Sequence, residues 1–254
     1  MDNKLNYKEY GDGYPIIILH GFLGMLDNWH SFSRKLSEKY RVISIDQRNH
    51  GKSFHSEDFD YAILANDLYQ FLQQMEIDRC SIIGHSMGGK TVMQYLSDYN
   101  SIIEKAVIVD IAPRAYDGGH QHILDAMTDL DLSQIEKRSD AQDFLVERLR
   151  NVGVVQFLLK NLNRDTDGNY SWKANLKVLY DNYENVSAGI TLNEKVTVPS
   201  LFVRGTQSNY ITKEDEKEIS KSFSQADVID IDAGHWVHAE QPELLLEAVR
   251  NFFL

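Results

Sequence analysis

The sequence predicts an α/β fold: a mostly parallel sheet covered by helices on both faces, with a helical insertion that forms a cap. Continuous apolar runs such as residues 15–19 are typical of strands buried on both faces. These runs alternate with segments of helical spacing, which indicates a parallel sheet. Between residues 114 and 195 apolar residues recur at helical rather than strand spacing. We therefore assign residues 1–113 and 196–254 to the core and 114–195 to the cap.

The first part of the core begins with three strands. Residues 4–10 alternate weakly between polar and apolar side chains and predict an edge strand, which the turn at residues 11–13 ends. The apolar runs 15–19 and 41–45 predict buried strands. Two helices are predicted from apolar residues at helical spacing, the first from Trp29, Phe32 and Leu36, the second from Tyr61, Leu64, Leu68, Phe71, Leu72 and Met75.

The rest of the core follows the same alternation. The remaining predicted elements are a strand from Cys80, a turn at Ser86, a helix toward Tyr95, strands over residues 105–109, 198–203 and 226–231, and a helix over residues 242–253. The insertion is predicted to be helical, with a turn at residues 165–169. Short segments join it to the core, so we expect the cap to pack on the sheet.

Composition limits the classes of function. The chain has 254 residues, 43% of them hydrophobic, and a formal net charge of −12, which argues against general binding of nucleic acid or anionic membranes. The N-terminus is polar and no apolar run has the length of a membrane span, so we expect a soluble cytoplasmic protein. Cys80, the single cysteine, is predicted to be a small core residue.

The clearest chemical signal is the segment Gly84-His85-Ser86-Met87-Gly88. It matches G-x-S-x-G, a tight strand-to-helix turn that exposes a nucleophilic serine above the end of a sheet. A β-branched strand precedes it and a helical pattern follows it, which is the context that the motif requires. Ser86 is therefore the predicted nucleophile.

A serine hydroxyl needs a base to take its proton. His235 follows the last predicted strand through Gly234, and so belongs at the sheet edge that also carries Ser86. His238 is the alternative base, but it lies further into the loop. The order of serine first and histidine last is typical of one class of serine hydrolase.

The histidine in turn needs a carboxylate that orients it. The loop after residues 198–203 is the usual place, but Ser208 stands where an acid is expected. Asp110, at the end of the strand that follows Ser86, occupies the other suitable position, although it could instead cap a turn. Asp215 and Glu214 are the fallback acids, and they resemble an exposed helix start.

Two backbone N–H groups are expected to stabilise the oxyanion that forms when the serine attacks. One belongs to Met87, directly after the nucleophile. The other belongs to Phe22, in the loop after residues 15–19. The Phe22 side chain can still pack as a buried aromatic.

These residues together resemble the α/β-hydrolase superfamily, and within it the small bacterial acyl-ester and acyl-CoA esterases of the YbfF type. Beyond the serine motif, the matching segments are residues 20–24 with Trp29, 46–53, 110–113, Trp172 with Asn175 and Leu176, Arg204 and Gly205 with Ser208 and Tyr210, and 234–238. The resemblance implies Ser86 as nucleophile, His235 as base and Asp110 as acid. It also implies that Ser208 forms a hydrogen bond within the same cluster.

The sequence thus predicts a serine hydrolase that cleaves short to medium acyl esters or acyl-CoA thioesters through an acyl-enzyme, with no cofactor and no metal. The cap residues Phe144, Leu158 and Trp172 are expected to contact the acyl chain, although they could instead pack the cap's own core. The rival hypotheses are a C–C bond hydrolase or menaquinone-pathway lyase of the same fold, and a ligand receptor with little turnover. The expected partner is a small molecule, and the sequence predicts no oligomeric state.

Overall fold

The computed structural model describes residues 4–99 and 102–254. Residues 1–3, part of the polar N-terminus from which no secretory signal is predicted, lie outside this range. The first elements are β1 (Tyr7–Tyr10), β2 (Pro15–Leu19), a 3₁₀ helix (Leu26–Trp29), α1 (His30–Leu36), β3 (Arg41–Ile45), α2 (Tyr61–Gln74), β4 (Cys80–His85), α3 (Met87–Asp98) and β5 (Ile103–Val109).

The insertion and the final core elements complete the chain. The insertion contains α4 (Gln121–Thr128), a 3₁₀ helix (Leu132–Gln134), α5 (Arg138–Leu149), α6 (Val152–Leu159), β6 (Leu162–Arg164), β7 (Tyr170–Trp172), α7 (Leu176–Asp181) and α8 (Tyr183–Ser187). The core resumes with β8 (Ser200–Gly205), α9 (Lys213–Ser222), β9 (Ala226–Ile231), α10 (Val237–Glu240) and α11 (Pro242–Phe253).

The main sheet has seven strands in the order β1-β3-β2-β4-β5-β8-β9. β1 pairs with β3 in the antiparallel direction, and the other neighbouring strands are parallel. Because parallel strands end at the same edge, the loops after β2, β4, β5, β8 and β9 meet there. Ligands of open α/β sheets bind at this edge.

The predicted α/β fold is confirmed, and the sheet is buried on both faces. In β2, Ile17 and Leu19 belong to one core cluster with residues of α2 and α3, whereas Ile16 and Ile18 belong to a second with residues of α1 and α11. Alternate side chains of one strand thus supply two cores, which explains its continuous apolar sequence.

The insertion packs in two ways. Leu158, Leu179 and other insertion residues join the first core cluster, so the insertion covers one side of the core. A separate small cluster, which includes Leu145 and Leu159, holds α4, α5 and α6 together. The helical insertion is consistent with a cap.

The insertion also contains a feature that the sequence interpretation missed. β6 and β7 form an antiparallel hairpin around the predicted turn at residues 165–169. Asp165 organises this turn, because its Oδ1 accepts hydrogen bonds from the N–H groups of Asp167 and Asn169 at 2.9 and 2.8 Å. Each strand has three residues, which is too short to produce a recognisable alternation. Across residues 4–99 and 102–254, no helix is both long enough and apolar enough to cross a membrane.

Candidate active site

The sharp turn between β4 and α3 holds Ser86 in an unusual backbone conformation. Its φ of 53° and ψ of −120° are rare for a residue with a side chain. The turn is tight because both outer glycines touch backbone: a Cβ on Gly84 would lie 2.4 Å from the Gly88 carbonyl oxygen, and one on Gly88 would lie 2.5 Å from that of Leu19. Only glycine fits these positions, which accounts for the G-x-S-x-G pattern.

The structure brings Ser86, His235 and Asp110 into one hydrogen-bonded chain. His235 Nε2 lies 3.0 Å from Ser86 Oγ, and His235 Nδ1 lies 2.8 Å from Asp110 Oδ2. A carboxylate oxygen only accepts, so Nδ1 carries the proton and Nε2 is free to accept from the serine hydroxyl. This is the tautomer that general-base catalysis needs.

Asp110 is completely buried and its carboxylate is fully engaged. Oδ1 accepts from the N–H of Gly205 at 2.9 Å, and Oδ2 accepts from the hydroxyl of Ser208 at 2.5 Å as well as from His235. A buried carboxylate is tolerated only with such partners. The three donors therefore stabilise Asp110 where it can orient His235.

The fallback acids lie elsewhere. Asp215 is buried, not exposed as expected, because it closes the N-terminus of α9 with Thr212 and forms an ion pair with Arg114 at 2.9 Å. Glu214 is exposed on the same helix. Neither contacts His235.

Tyr210 is a site residue that sequence reasoning named only as part of a family pattern. Its ring stacks on the His235 imidazole with the centroids 3.8 Å apart and the planes 18° apart. Its N–H donates to Ser208 Oγ at 3.1 Å. Tyr210 therefore packs against one face of the His235 imidazole. Its position two residues after Ser208 was the signal in the sequence that could have identified it.

The two predicted oxyanion donors flank Ser86. Phe22 and Met87 line a cavity together with Ser86 and His235. The loop that carries Phe22 reaches Ser86 closely, since a Cβ on the neighbouring Gly21 would lie 3.1 Å from Ser86 Cβ. The loop that carries Phe22 therefore lies beside the turn that carries Ser86 and Met87.

Buried histidines support this loop, and the sequence did not reveal them. His20 Nδ1 donates to the Gly21 carbonyl at 2.8 Å while its Nε2 accepts from the N–H of Gln47 at 3.0 Å. His50 Nε2 accepts from the N–H of Leu23 at 3.2 Å. Each imidazole links backbone groups of two loops by donating through one nitrogen and accepting through the other. This arrangement requires the neutral form of the ring.

Two more buried histidines lie behind His235. His85 Nε2 donates to the carbonyl oxygen of His235 at 2.8 Å. His238, the alternative base, does not reach Ser86 but stacks on Trp29 with the centroids 4.4 Å apart. Its Nδ1 is buried without a hydrogen-bond partner in the described part of the chain.

These histidines predict a fold that loses stability in mild acid. Burial lowers the pKa of His20 to about 4 and those of His50 and His238 to about 3, and it lowers that of His85 well below 6.5. In the unfolded chain each takes up a proton near pH 6.5, so protons favour the unfolded state below that pH. Each histidine then costs about 1.4 kcal/mol of unfolding free energy per pH unit until its folded-state pKa is reached.

The measurement is the free energy of unfolding from urea titrations at pH 5 and pH 7. His238→Phe keeps a flat ring against Trp29 and removes one proton site, so it should reduce the loss between these pH values by about 2 kcal/mol. The exposed His55 provides the control, and His55→Gln should leave the loss unchanged. An equal loss in His238→Phe and the wild type would contradict this account.

Two cavities meet at Ser86 and His235. The first, about 430 Å³, also contains Lys90, and we call it the Lys90 cavity. The second, about 250 Å³, contains Leu158, and we call it the Leu158 cavity. Ser86 and His235 therefore lie where the Lys90 cavity and the Leu158 cavity adjoin.

The three predicted cap residues differ in position. Leu158 lines a cavity at Ser86, whereas Phe144 and Trp172 line neither of the two. Phe144 packs against the small cluster of α4, α5 and α6, and the Trp172 Nε1–H donates to the Met127 carbonyl at 3.2 Å. Phe144 and Trp172 therefore do not border the two cavities at Ser86, because both pack against the insertion's own core.

No group of three or more His, Cys, Asp or Glu side chains suited to a metal ion occurs among residues 4–99 and 102–254. Ser86 and His235 lie at the junction of the two cavities, and the hydrogen-bonded chain that they form with the buried Asp110 can perform nucleophilic and acid–base chemistry.

Comparison with known proteins assigns the class. A family model described as the alpha/beta hydrolase fold matches residues 14–242, and the chain belongs to this family. Esterase YbfF of Escherichia coli is 36% identical over 94% of this chain and 92% of its own. The sn-1-specific diacylglycerol lipase ABHD11 of Danio rerio is 35% identical over 95% and 79%. A marine microorganism esterase of known structure superposes with a TM-score of 0.96 at 38% identity, covering 99% of this chain and all of that one. The family resemblance predicted from the sequence is confirmed.

Proposed function

We propose that this protein is a serine hydrolase that cleaves acyl esters, with Ser86 as nucleophile, His235 as base and Asp110 as the acid that orients it. The observation that carries the proposal is the hydrogen-bonded chain of these three side chains, of which Ser86 and His235 lie at the junction of two cavities. The esterase and lipase names of relatives that match most of the chain support it.

The geometry supports a two-step reaction. Ser86 Oγ attacks the ester carbonyl carbon while its proton passes to His235 Nε2, and Asp110 stabilises the resulting imidazolium. The backbone N–H groups of Phe22 and Met87 stabilise the oxyanion. The C–O bond then breaks, and His235 returns its proton to the leaving alcohol. Water hydrolyses the acyl-enzyme by the same steps, with His235 again acting as the base.

The same chemistry extends to acyl-CoA thioesters, where a thiol leaves in place of an alcohol. We propose that residues 1–113 and 196–254 supply the reacting groups and that residues 114–195 form the roof that selects the acyl chain. In this proposal Leu158, which lines the Leu158 cavity, contacts that chain. The cytoplasmic location stays a prediction from the sequence.

A series of 4-nitrophenyl esters from acetyl to dodecanoyl, together with acyl-CoA thioesters, tests this proposal. The wild type should hydrolyse members of the series and accumulate an acyl group on the peptide that contains Ser86. Leu158→Ala enlarges the Leu158 cavity and should shift the preferred acyl chain toward greater length. We expect a change of about tenfold in the ratio of rates on long and short esters, because one or two buried methylene groups contribute roughly 1–2 kcal/mol.

Phe144→Ala is the matched control. It also removes an apolar side chain from the insertion, but one that lines neither cavity. Its melting temperature should fall while its chain-length ratio stays that of the wild type. If both variants lose stability and neither changes the ratio, Leu158 only packs the cap. If no ester or thioester is turned over, the proposed activity is wrong.

A further inference from the structure

The two cavities at Ser86 differ in chemistry. Apolar side chains dominate the wall of the Leu158 cavity away from Ser86, among them Leu23, Ile123, Val154, Phe157 and Leu158. The Lys90 cavity instead contains the charged side chains of Lys90, Arg114 and Asp117 and the polar side chains of Gln207, Ser208 and Asn209. The two arms of an ester bound at Ser86 would therefore meet different surroundings.

Lys90 is an unusual residue to find in this position. It lies on α3, one helical turn after Ser86, and only 1% of its surface is exposed. Its Nζ donates to the carbonyl oxygens of Ser187 and Ala188 and lies 4.7 Å from the centre of the Tyr116 ring. In the described part of the chain, no carboxylate forms an ion pair with it.

The other charges near the cavity do not compensate Lys90. Arg114 is occupied by its ion pair with Asp215, and both the Arg114 and the Asp117 side chains belong to exposed residues. Burial, with a smaller effect from Arg114, lowers the pKa of Lys90 to about 7. A buried ammonium without a counter-charge is poorly stabilised, so an anion in the cavity would be attracted to it.

We propose that the Lys90 cavity binds a negatively charged arm of the ester, a carboxylate or a phosphate, while the Leu158 cavity holds an apolar arm. The proposal rests on the proposed ester hydrolysis and narrows its substrate class. It makes Lys90 a specificity residue that contacts substrate away from the reacting atoms. The positive charge of Lys90 takes no part in the proposed catalytic steps, so this binding role is additional to them.

Matched esters test the proposal on each arm. On the acyl side, 4-nitrophenyl butyrate is compared with the 4-nitrophenyl monoester of succinic acid. On the alcohol side, ethyl butyrate is compared with 2-carboxyethyl butyrate and 2-phosphoethyl butyrate by titration of released acid. At least one anionic ester should show a kcat/KM about tenfold above its neutral counterpart, the effect of one charge-assisted hydrogen bond. The better alcohol-side ester distinguishes carboxylate from phosphate.

Lys90→Gln keeps a donor for the Ser187 and Ala188 carbonyls but removes the charge. It should lower the ratio of anionic to neutral kcat/KM by about tenfold. Phe144→Ala is the matched control: its side chain lines neither cavity, so it should leave that ratio near the wild-type value. If Lys90→Gln keeps the wild-type ratio, or if the wild type prefers no anionic ester while hydrolysing the neutral ones, the inference is overturned. If the wild type hydrolyses none of them, the proposed function itself fails.

The wild type alone provides a second measurement, which does not depend on the folding of a variant. The pKa of about 7 means that Lys90 loses its proton as the pH rises from 6 to 8. The groups that face it are Tyr61 from α2, Tyr116 and Arg114 from the loop after β5, and the carbonyl oxygens of Ser187 and Ala188 at the end of α8. Burial raises the pKa of both tyrosines, so they stay neutral in this range.

The preference for a carboxylate ester should therefore decline by several-fold between pH 6 and pH 8. Taking the ratio to the neutral ester removes every effect of pH that is common to both substrates. A ratio that is constant or rises over this range would contradict the assignment of the anion to Lys90.

Discussion

Ser86→Ala is expected to lower turnover of acyl esters on the order of a million-fold, the loss that removal of a triad serine typically causes. Without Oγ no acyl-enzyme forms, and His235 Nε2 has no hydroxyl to deprotonate. The remaining activity should come from bound water and the backbone N–H groups of Phe22 and Met87. The fold should persist, because alanine is smaller than serine and the backbone strain at this position exists in the wild type.

A fluorophosphonate probe checks the covalent role directly. The wild type should be labelled with the added mass on the peptide that contains Ser86, and Ser86→Ala should not be labelled. Ser81→Ala, in the strand that precedes Ser86, is the control, since the Ser81 hydroxyl lies 3.3 Å from that of Tyr14, away from His235. Full-rate labelling of Ser86→Ala would place the nucleophile elsewhere.

Asp110→Asn should produce the second-largest loss, at least about a hundredfold in kcat. The same change in the triad of a serine protease costs about ten-thousand-fold. The reason is the tautomer of the base. If the asparagine N–H₂ faces His235 Nδ1, the ring proton moves to Nε2, which can then no longer accept a proton from Ser86. In either orientation the charge that stabilises the imidazolium is lost.

Ser208→Ala is the comparison for this variant. It removes one neutral donor from Asp110 Oδ2 but leaves those of Gly205 and His235. We expect roughly a tenfold loss in kcat, corresponding to about 1.4 kcal/mol. The test is that the loss in kcat is larger for Asp110→Asn than for Ser208→Ala. Near-normal turnover in a folded Asp110→Asn would show that this aspartate does not orient His235.

Much of the fold was predictable because its signals are local. The strands at residues 15–19, 41–45 and 226–231 begin and end where the sequence predicts, since a strand pattern bounded by polar turn residues is complete within a few positions. The β6–β7 hairpin was not predictable in the same way. Three-residue strands carry too little pattern to differ from the helical spacing around them.

The candidate site shows the same division. Ser86 and His235 were predicted because a short motif and the ends of strands specify their places. The choice among Asp110, Asp215 and Glu214 was open in the sequence, because all three are carboxylates near the ends of predicted elements. The structure separates them: Asp110 contacts His235, Asp215 pairs with Arg114, and Glu214 is exposed.

By itself, the sequence determined the α/β class, the family, the position of the insertion and the serine turn. Only the tertiary structure decided which carboxylate meets the base, which histidines are buried and neutral, and that Lys90 borders a cavity without a counter-charge. The physical reason is distance along the chain. A helix or strand depends on side chains a few residues apart, whereas Asp110 and His235 are 125 positions apart and meet only because the sheet places β5 and β9 on either side of β8.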